Sequence, residues 1–194
     1  MRIVGGNLRG RRLDVPRGMD VRPTSEKVRE ALFDILGPRV AGVAFLDLYA
    51  GTGAVGLEAV SRGASVAVLV EKGARALAAL RMNVERLGVA GLCRVLPVSS
   101  EKALRILSEE GAGVGAAFCD PPYADRAWPD LLGRLAGFPI WVHPGILVVE
   151  SAAKALPACP PGFEAGRAYR YGDTALSVFR VAVQRVGGAR EETP

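Results

Sequence analysis

Two short stretches of the chain hold residues whose types and spacing could do chemistry. The first, Phe118-Cys119-Asp120-Pro121-Pro122-Tyr123, follows the apolar run 114–117. Two successive prolines donate no backbone hydrogen bond and extend neither a helix nor a central strand. The chain therefore leaves a buried strand and stiffens at once. It presents the Asp120 carboxylate, the carbonyls of Pro121 and Pro122, and the Tyr123 ring. That set accepts hydrogen bonds and offers a stacking face. An acid at the C-terminal end of a strand is where open α/β sheets place their sites. The competing readings are an ordinary loop acid for Asp120 and a half-buried loop aromatic for Tyr123.

The second stretch, residues 45–59, holds Gly51, Gly53 and Gly56 in GxGxxG spacing between a strand and a helix. Alone, this spacing fits either a tight strand-to-helix turn or a dinucleotide loop. Asp47, four residues before the first glycine, separates the options. A carboxylate beside the loop repels a pyrophosphate and attracts a ligand whose near end is cationic. S-adenosylmethionine has an ammonium, a sulfonium and no phosphate, and the glycines let the backbone approach it closely. Glu71 ends the next strand, 20 residues past Gly51, where an acid can accept both hydroxyls of a ribose. Ser99 and Ser100 follow the third strand, within reach of an adenine edge. A helix N-cap is the other reading of each serine.

These groups need a scaffold, and the hydrophobic pattern supplies one. Strands are expected at 43–49, 65–71, 93–98, 114–120 and 145–151, and helices at 22–36, 53–63, 73–88, 100–111 and 127–137. Nearly continuous apolar strands alternating with helices predict an α/β fold, with a mostly parallel sheet covered on both faces. Residues 163–186 read as two strands turning at Tyr171-Gly172-Asp173-Thr174, so the sheet is expected to end in an antiparallel hairpin. Before all this, residues 2–16 alternate apolar and basic positions around Gly5-Gly6-Asn7, as a small hairpin would. The domain reading is a basic arm at 1–21, a catalytic domain at 22–186 and a frayed tail at 187–194.

Charge and composition narrow the function. Residues 1–29 hold eight basic and three acidic groups, which accounts for the whole formal charge of +5. A basic arm on a neutral body predicts contact with phosphates through Arg9, Arg11, Arg12, Arg17 and Arg22. His143 is the only histidine, which excludes His-based triads and multi-His metal sites. Cys93, Cys119 and Cys159 are odd in number and widely spaced, as free thiols in a reducing cytoplasm would be. No apolar run is long enough to cross a membrane as a helix, and the start lacks the apolar stretch of a signal peptide. The expectation is a cytoplasmic protein, monomeric, with no metal and no membrane partner.

The motifs Asp47–Gly56, Val70-Glu71-Lys72-Gly73 and Cys119–Tyr123, in this order, resemble class I S-adenosylmethionine-dependent methyltransferases with a Rossmann-like, seven-stranded sheet. The Asp-Pro-Pro-Tyr signature resembles enzymes that methylate exocyclic amines of bases. Residues 2–16, 22–36 and 169–179 resemble the bacterial 16S ribosomal RNA guanine-N2 methyltransferases. The likeness runs from Arg2 to about Phe179, and Ser99 departs from it, standing where many relatives have Asp or Asn. The resemblance implies that Tyr49, Thr52 and Lys72 also line the cofactor. It implies that Arg22 and Thr24 reach the methionine carboxylate or the target nucleotide. The partner it implies is 16S RNA, naked or within a 30S assembly particle.

The chemistry this implies is coherent. A purine amine is a poor nucleophile because its lone pair is delocalised into the ring. The Asp120 carboxylate and the Pro121 carbonyl can hold its hydrogens and stabilise positive charge as it attacks. Tyr123 can stack on a base drawn out of its surroundings. Two other readings remain at this point: an adenine-N6 methyltransferase acting on DNA or RNA, and a catalytically silent RNA-binding protein.

Overall fold

The computed structural model describes residues 1–16, 25–122 and 128–182. Arg17, Arg22, Thr24 and Tyr123, the arm boundary at 21 and the tail at 187–194 lie outside the described residues.

The chain alternates as its hydrophobic pattern predicts. The helices are α1 (Glu26–Leu36), α2 (Ala54–Ser61), α3 (Ala74–Leu87), α4 (Ser100–Glu109) and α5 (Trp128–Arg134). The strands are β1 (Ala44–Asp47), β2 (Val66–Val70), β3 (Cys93–Leu96), β4 (Val114–Cys119), β5 (Trp141–Ala152), β6 (Phe163–Tyr171) and β7 (Thr174–Val181). They form one seven-stranded sheet in the order β3-β2-β1-β4-β5-β7-β6. β1 to β5 run parallel, and β7 pairs antiparallel with both β5 and β6. The final hairpin expected from Tyr171–Thr174 is therefore present.

The central strands β1, β2 and β4 and the middle of β5 are buried on both sides, which is why their sequences are nearly all apolar, whereas the edge strand β6 is largely exposed. Leu46, Val68, Ala117, Leu147 and Val149 face α4 and α5. Phe45, Ala116, Phe118, Ile146 and Val148 face α1 and α2. Ser25 caps α1, its Oγ accepting from Val28 N at 3.2 Å. The three cysteines are free. No described helix is long and apolar enough to cross a membrane.

The N-terminal segment is docked onto the body instead of projecting from it. Ile3 and Leu13 are buried among Leu57, Leu80 and Leu87 of α2 and α3. A single antiparallel bridge, Arg2 to Arg12, closes the turn. Glu58 of α2, fully buried, accepts the backbone amides of Val4 at 2.8 Å and Gly5 at 2.7 Å. The same carboxylate pairs with Arg62 at 2.9 Å and with buried Arg29 at 3.5 Å. Arg29 also donates to the Arg2 carbonyl. Although it contributes to the basic segment, Arg29 thus points inward and is spent on Glu58, because a buried guanidinium requires a partner.

The close approach at Gly6 explains the glycine pair. Gly6 has φ +74°, and a Cβ there would lie 1.9 Å from the Ser61 carbonyl oxygen. Gly10 has φ +83° with open space around it. Gly6→Ala should cost on the order of 3 kcal/mol from backbone strain and overpacking together. Gly10→Ala should cost about 1–2 kcal/mol, from backbone strain alone. Urea denaturation of the two variants measures the difference; equal losses would mean that contact with α2 is not what demands glycine at position 6.

Candidate active site

The strand order reverses between β1 and β4. From β1 the chain proceeds outward to β2 and β3; β4 and β5 lie on the other side. Ligands of open α/β sheets bind in the crevice at such a point, outside the carboxyl ends of the strands. Four acids cluster there in sequence terms: Asp47 ends β1, Glu71 follows β2, Asp120 follows β4 and Glu150 lies near the end of β5. Asp47 is in register with Phe118, two residues before Asp120. The Leu48 amide donates to the Phe118 carbonyl at 3.0 Å, extending the pairing toward the crevice.

Asp47 is 1% exposed. Its Oδ2 accepts from Gly56 N, at the start of α2, at 3.2 Å, while Oδ1 has no hydrogen-bond partner among the described residues. Burial pushes the carboxyl up to about 7, against the pull of the Tyr49 and Gly56 backbone amides; the charge of Glu71 adds to the rise. A buried carboxylate with an orphaned oxygen is poised for a cation. Gly56 has no room for a side chain: a Cβ would lie 2.0 Å from Leu69.

Gly51 adopts φ +55° and a Cβ there would meet nothing within 4 Å, so the loop leaves open space on that side. Glu71 holds the loop's shape. Its Oε2 accepts from Gly51 N at 2.9 Å and its Oε1 from Gly73 N at 2.6 Å. The carboxylate is partly exposed and keeps unused lone pairs for hydroxyls. Gly53, the N-cap of α2, has φ +87°. Tyr49 is partly buried against the α4 side of the core, Thr52 is buried, and Lys72 is exposed.

The two serines behave differently. Ser99 caps α4, accepting from Lys102 N at 3.3 Å. Ser100 is buried and donates to the Leu48 carbonyl at 2.7 Å, so its proton is committed to the β1 loop. On the other side of the crevice, Asp120 is half-buried, Pro121 buried and Pro122 exposed. Both prolines wall a cavity of about 560 Å³ between α5, the end of β5 and the β5–β6 connection. Asp47, the Gly51 loop, Glu71 and Asp120 thus converge on one edge of the sheet.

Two residues that hold the site together carry no signal in the sequence. Asn83 of α3 is fully buried. It accepts from Asp14 N at 2.7 Å and donates to the carbonyls of Asp14 and Thr52, both at 3.0 Å. It ties the N-terminal segment to the glycine loop, and nothing in a helical stripe flags it. Glu58 is hidden likewise. Glu150 does carry such a signal, an acid at the close of an apolar run, as Asp47 and Asp120 are.

Sheet order, alternating helices and this edge define the class I methyltransferase fold. The family model described as "Conserved hypothetical protein 95" matches residues 1–180, and the chain belongs to that family. The chain is similar to Ribosomal RNA small subunit methyltransferase D of Escherichia coli K12, with 33% identity over 185 residues, 95% of this chain and 91% of that one. The Haemophilus influenzae protein of the same name is 28% identical over 163 residues, 83% of each chain. The solved structure of a hypothetical protein from Thermus thermophilus superposes with a TM-score of 0.78 at 36% identity, covering 92% of this chain and 98% of that one.

Proposed function

We propose that this chain is an S-adenosylmethionine-dependent ribosomal RNA methyltransferase and that it methylates the N2 amine of a guanine in small-subunit RNA. The observation that carries the reading is the convergence of Asp47, beside the glycine loop, and Asp120-Pro121 at the carboxyl ends of adjacent strands. The names of the curated relatives, small-subunit rRNA methyltransferases, support the substrate class.

The cofactor's chemistry fits the residues present. Buried Asp47 suits the cationic methionine end, and partly exposed Glu71 suits the ribose. Tyr49, Thr52, Lys72, Ser99 and Ser100 are assigned to the cofactor by their places after β1, β2 and β3, and Arg22 and Thr24 belong to this proposal by sequence. When bound, S-adenosylmethionine would supply an electrophilic methyl carbon on its sulfonium sulfur, the C–S bond breaking as the methyl is transferred and the sulfur leaving as a neutral thioether. Asp120 and the Pro121 carbonyl then accept hydrogen bonds from the guanine amine and aim its lone pair. As the N–C bond forms, they would stabilise the positive charge on nitrogen, and the proton the amine loses would pass to the Asp120 carboxylate and on to water. Pro121 and Pro122 present no N–H that would compete for those acceptors, and Tyr123 stacks on the base.

Incubation with tritiated S-adenosylmethionine and unmethylated 16S RNA, naked and as 30S particles, tests the proposal. Nucleoside analysis should find N2-methylguanosine. N6-methyladenosine would replace the guanine reading, and no label on either substrate would remove the enzyme reading.

The N-terminal segment supplies the phosphate contacts. Arg11 donates to the Arg86 carbonyl at 2.9 Å and Arg2 pairs with Glu26, so both help to dock the segment. Arg9 and Arg12 are exposed and form no ion pair with a described residue. The double change Arg9→Ala and Arg12→Ala should flatten the log–log salt dependence of RNA affinity by roughly 1.4, at about 0.7 per phosphate contact. Cofactor affinity should not change. Filter binding across a salt series measures the slope, and an unaltered slope would leave both arginines as solvated surface.

A further inference from the structure

The cavity beside Pro121 and Pro122 has six prolines in its wall and few polar side chains. Glu150, near the end of β5, borders it, and it is only 8% exposed. Its position is rigidly set. Cys119 pairs in register with Val149, so the next residues, Asp120 and Glu150, stand side by side on neighbouring strands. From the other side, Glu150 is held in register with Leu176 of β7. A long central strand fixes this carboxylate better than a loop would.

We propose that Glu150 is a specificity-determining residue that accepts the N1–H of the target guanine. The inference rests on the guanine-N2 reading and deepens it. On guanine, the N1–H lies beside the N2 amine. Adjacent strands are about 4.8 Å apart, so carboxylates at their ends can meet neighbouring donors on one base edge. Asp120 and the Pro121 carbonyl take the N2 hydrogens, and Glu150 takes N1–H. Glu150 has a protein contact of its own. A carboxylate has about four acceptor sites, so it can accept from a base beside a protein partner. Adenine offers a bare acceptor at N1. Facing a buried carboxylate, that acceptor is unpaired and repelled, and a site built around a donor rejects an analogue lacking it. Accepting N1–H also returns electron density to the ring and makes the N2 lone pair more available.

The cavity size suits this role. A volume of about 560 Å³ is within the roughly 300–1,000 Å³ range of small-molecule sites. Proline walls offer a base apolar surface without donors that would misread its edge.

The test uses an RNA fragment carrying guanine or 2-aminopurine at the nucleotide mapped by the tritium experiment. Both bases have an amine at C2, but 2-aminopurine has no hydrogen on N1. The intact enzyme should prefer guanine by at least about a hundredfold in kcat/KM. Glu150→Gln should lower kcat/KM for guanine and shrink the preference by tenfold or more, with S-adenosylmethionine affinity unchanged. Equal turnover of the two bases by the intact enzyme would overturn the inference, and this arm needs no variant. A preference preserved in folded Glu150→Gln would overturn it too. Failure of the guanine reading itself is seen separately, as absence of N2-methylguanosine in the nucleoside map.

Discussion

Asp120→Ala should lower the rate of methyl transfer by on the order of a hundredfold to a thousandfold, the scale for losing one preorganised polar partner of a transition state. The argument is positional. Asp120 lies just past β4, is half-buried, and is followed by a buried and an exposed proline that stiffen the loop. In the proposed mechanism it serves the base, while Asp47 and Glu71 lie on the glycine-loop side. Folding and S-adenosylmethionine affinity should therefore be nearly unchanged. Single-turnover measurement at saturating RNA isolates the chemical step. A near wild-type rate there would mean that the carboxylate does not orient the amine, and the double proline would be architecture alone.

Asp47 should control cofactor binding, and through its charge. Asp47→Ala should weaken S-adenosylmethionine binding by roughly 1.5–3 kcal/mol, the range for a hydrogen bond to a charged group. The pH dependence is more distinctive. Burial raises this carboxyl from the usual 3.8 to about 7 in the ligand-free protein. The folded state thus holds the proton more tightly than the unfolded chain does. The stability this contributes is fully present below about pH 4 and is lost as pH rises through about 7. A cationic ligand demands the opposite, ionised form. Affinity should rise from pH 5.5 to 7 by up to about tenfold per unit. Asp47→Asn should abolish that rise, and it should stop the ligand-free protein from losing stability over the same interval. Calorimetric titration and denaturation, each across the pH series, check the two halves. A flat affinity profile in the intact protein would remove Asp47 from contact with the cation.

Much of this protein is determined by its sequence alone, for local reasons. Apolar runs of strand length alternating with helical stripes dictate a parallel sheet covered on both faces, and every strand and helix predicted for the sheet and its covering layers has its counterpart among the described residues, while the expected N-terminal hairpin is reduced to one bridge. Glycine spacing dictates a tight turn from β1 into α2. An acid closing an apolar strand, as at Asp47 and Asp120, stands at a carboxyl edge whatever the strand order. Each of these signals spans a few residues and follows from backbone sterics and periodicity.

What the sequence could not settle depends on residues far apart in the chain. Only the strand order places β4 beside β1 and so brings Asp120 near Asp47. Only the register of β5 sets Glu150 beside Asp120. Net charge counts Arg29 in the basic segment; the fold buries it against Glu58, because α1, α2 and the N-terminal segment close over it. The basic arm reads as a free hairpin until Glu58, Ser61 and Asn83 supply partners for its backbone. Ser100 reads as an adenine contact or an N-cap, yet its hydroxyl proton goes to the Leu48 carbonyl. Local pattern reports which groups are polar and which face is apolar. Which distant group satisfies a buried donor or charge is decided when the sheet assembles, because burial creates the demand and tertiary packing determines what is near enough to meet it.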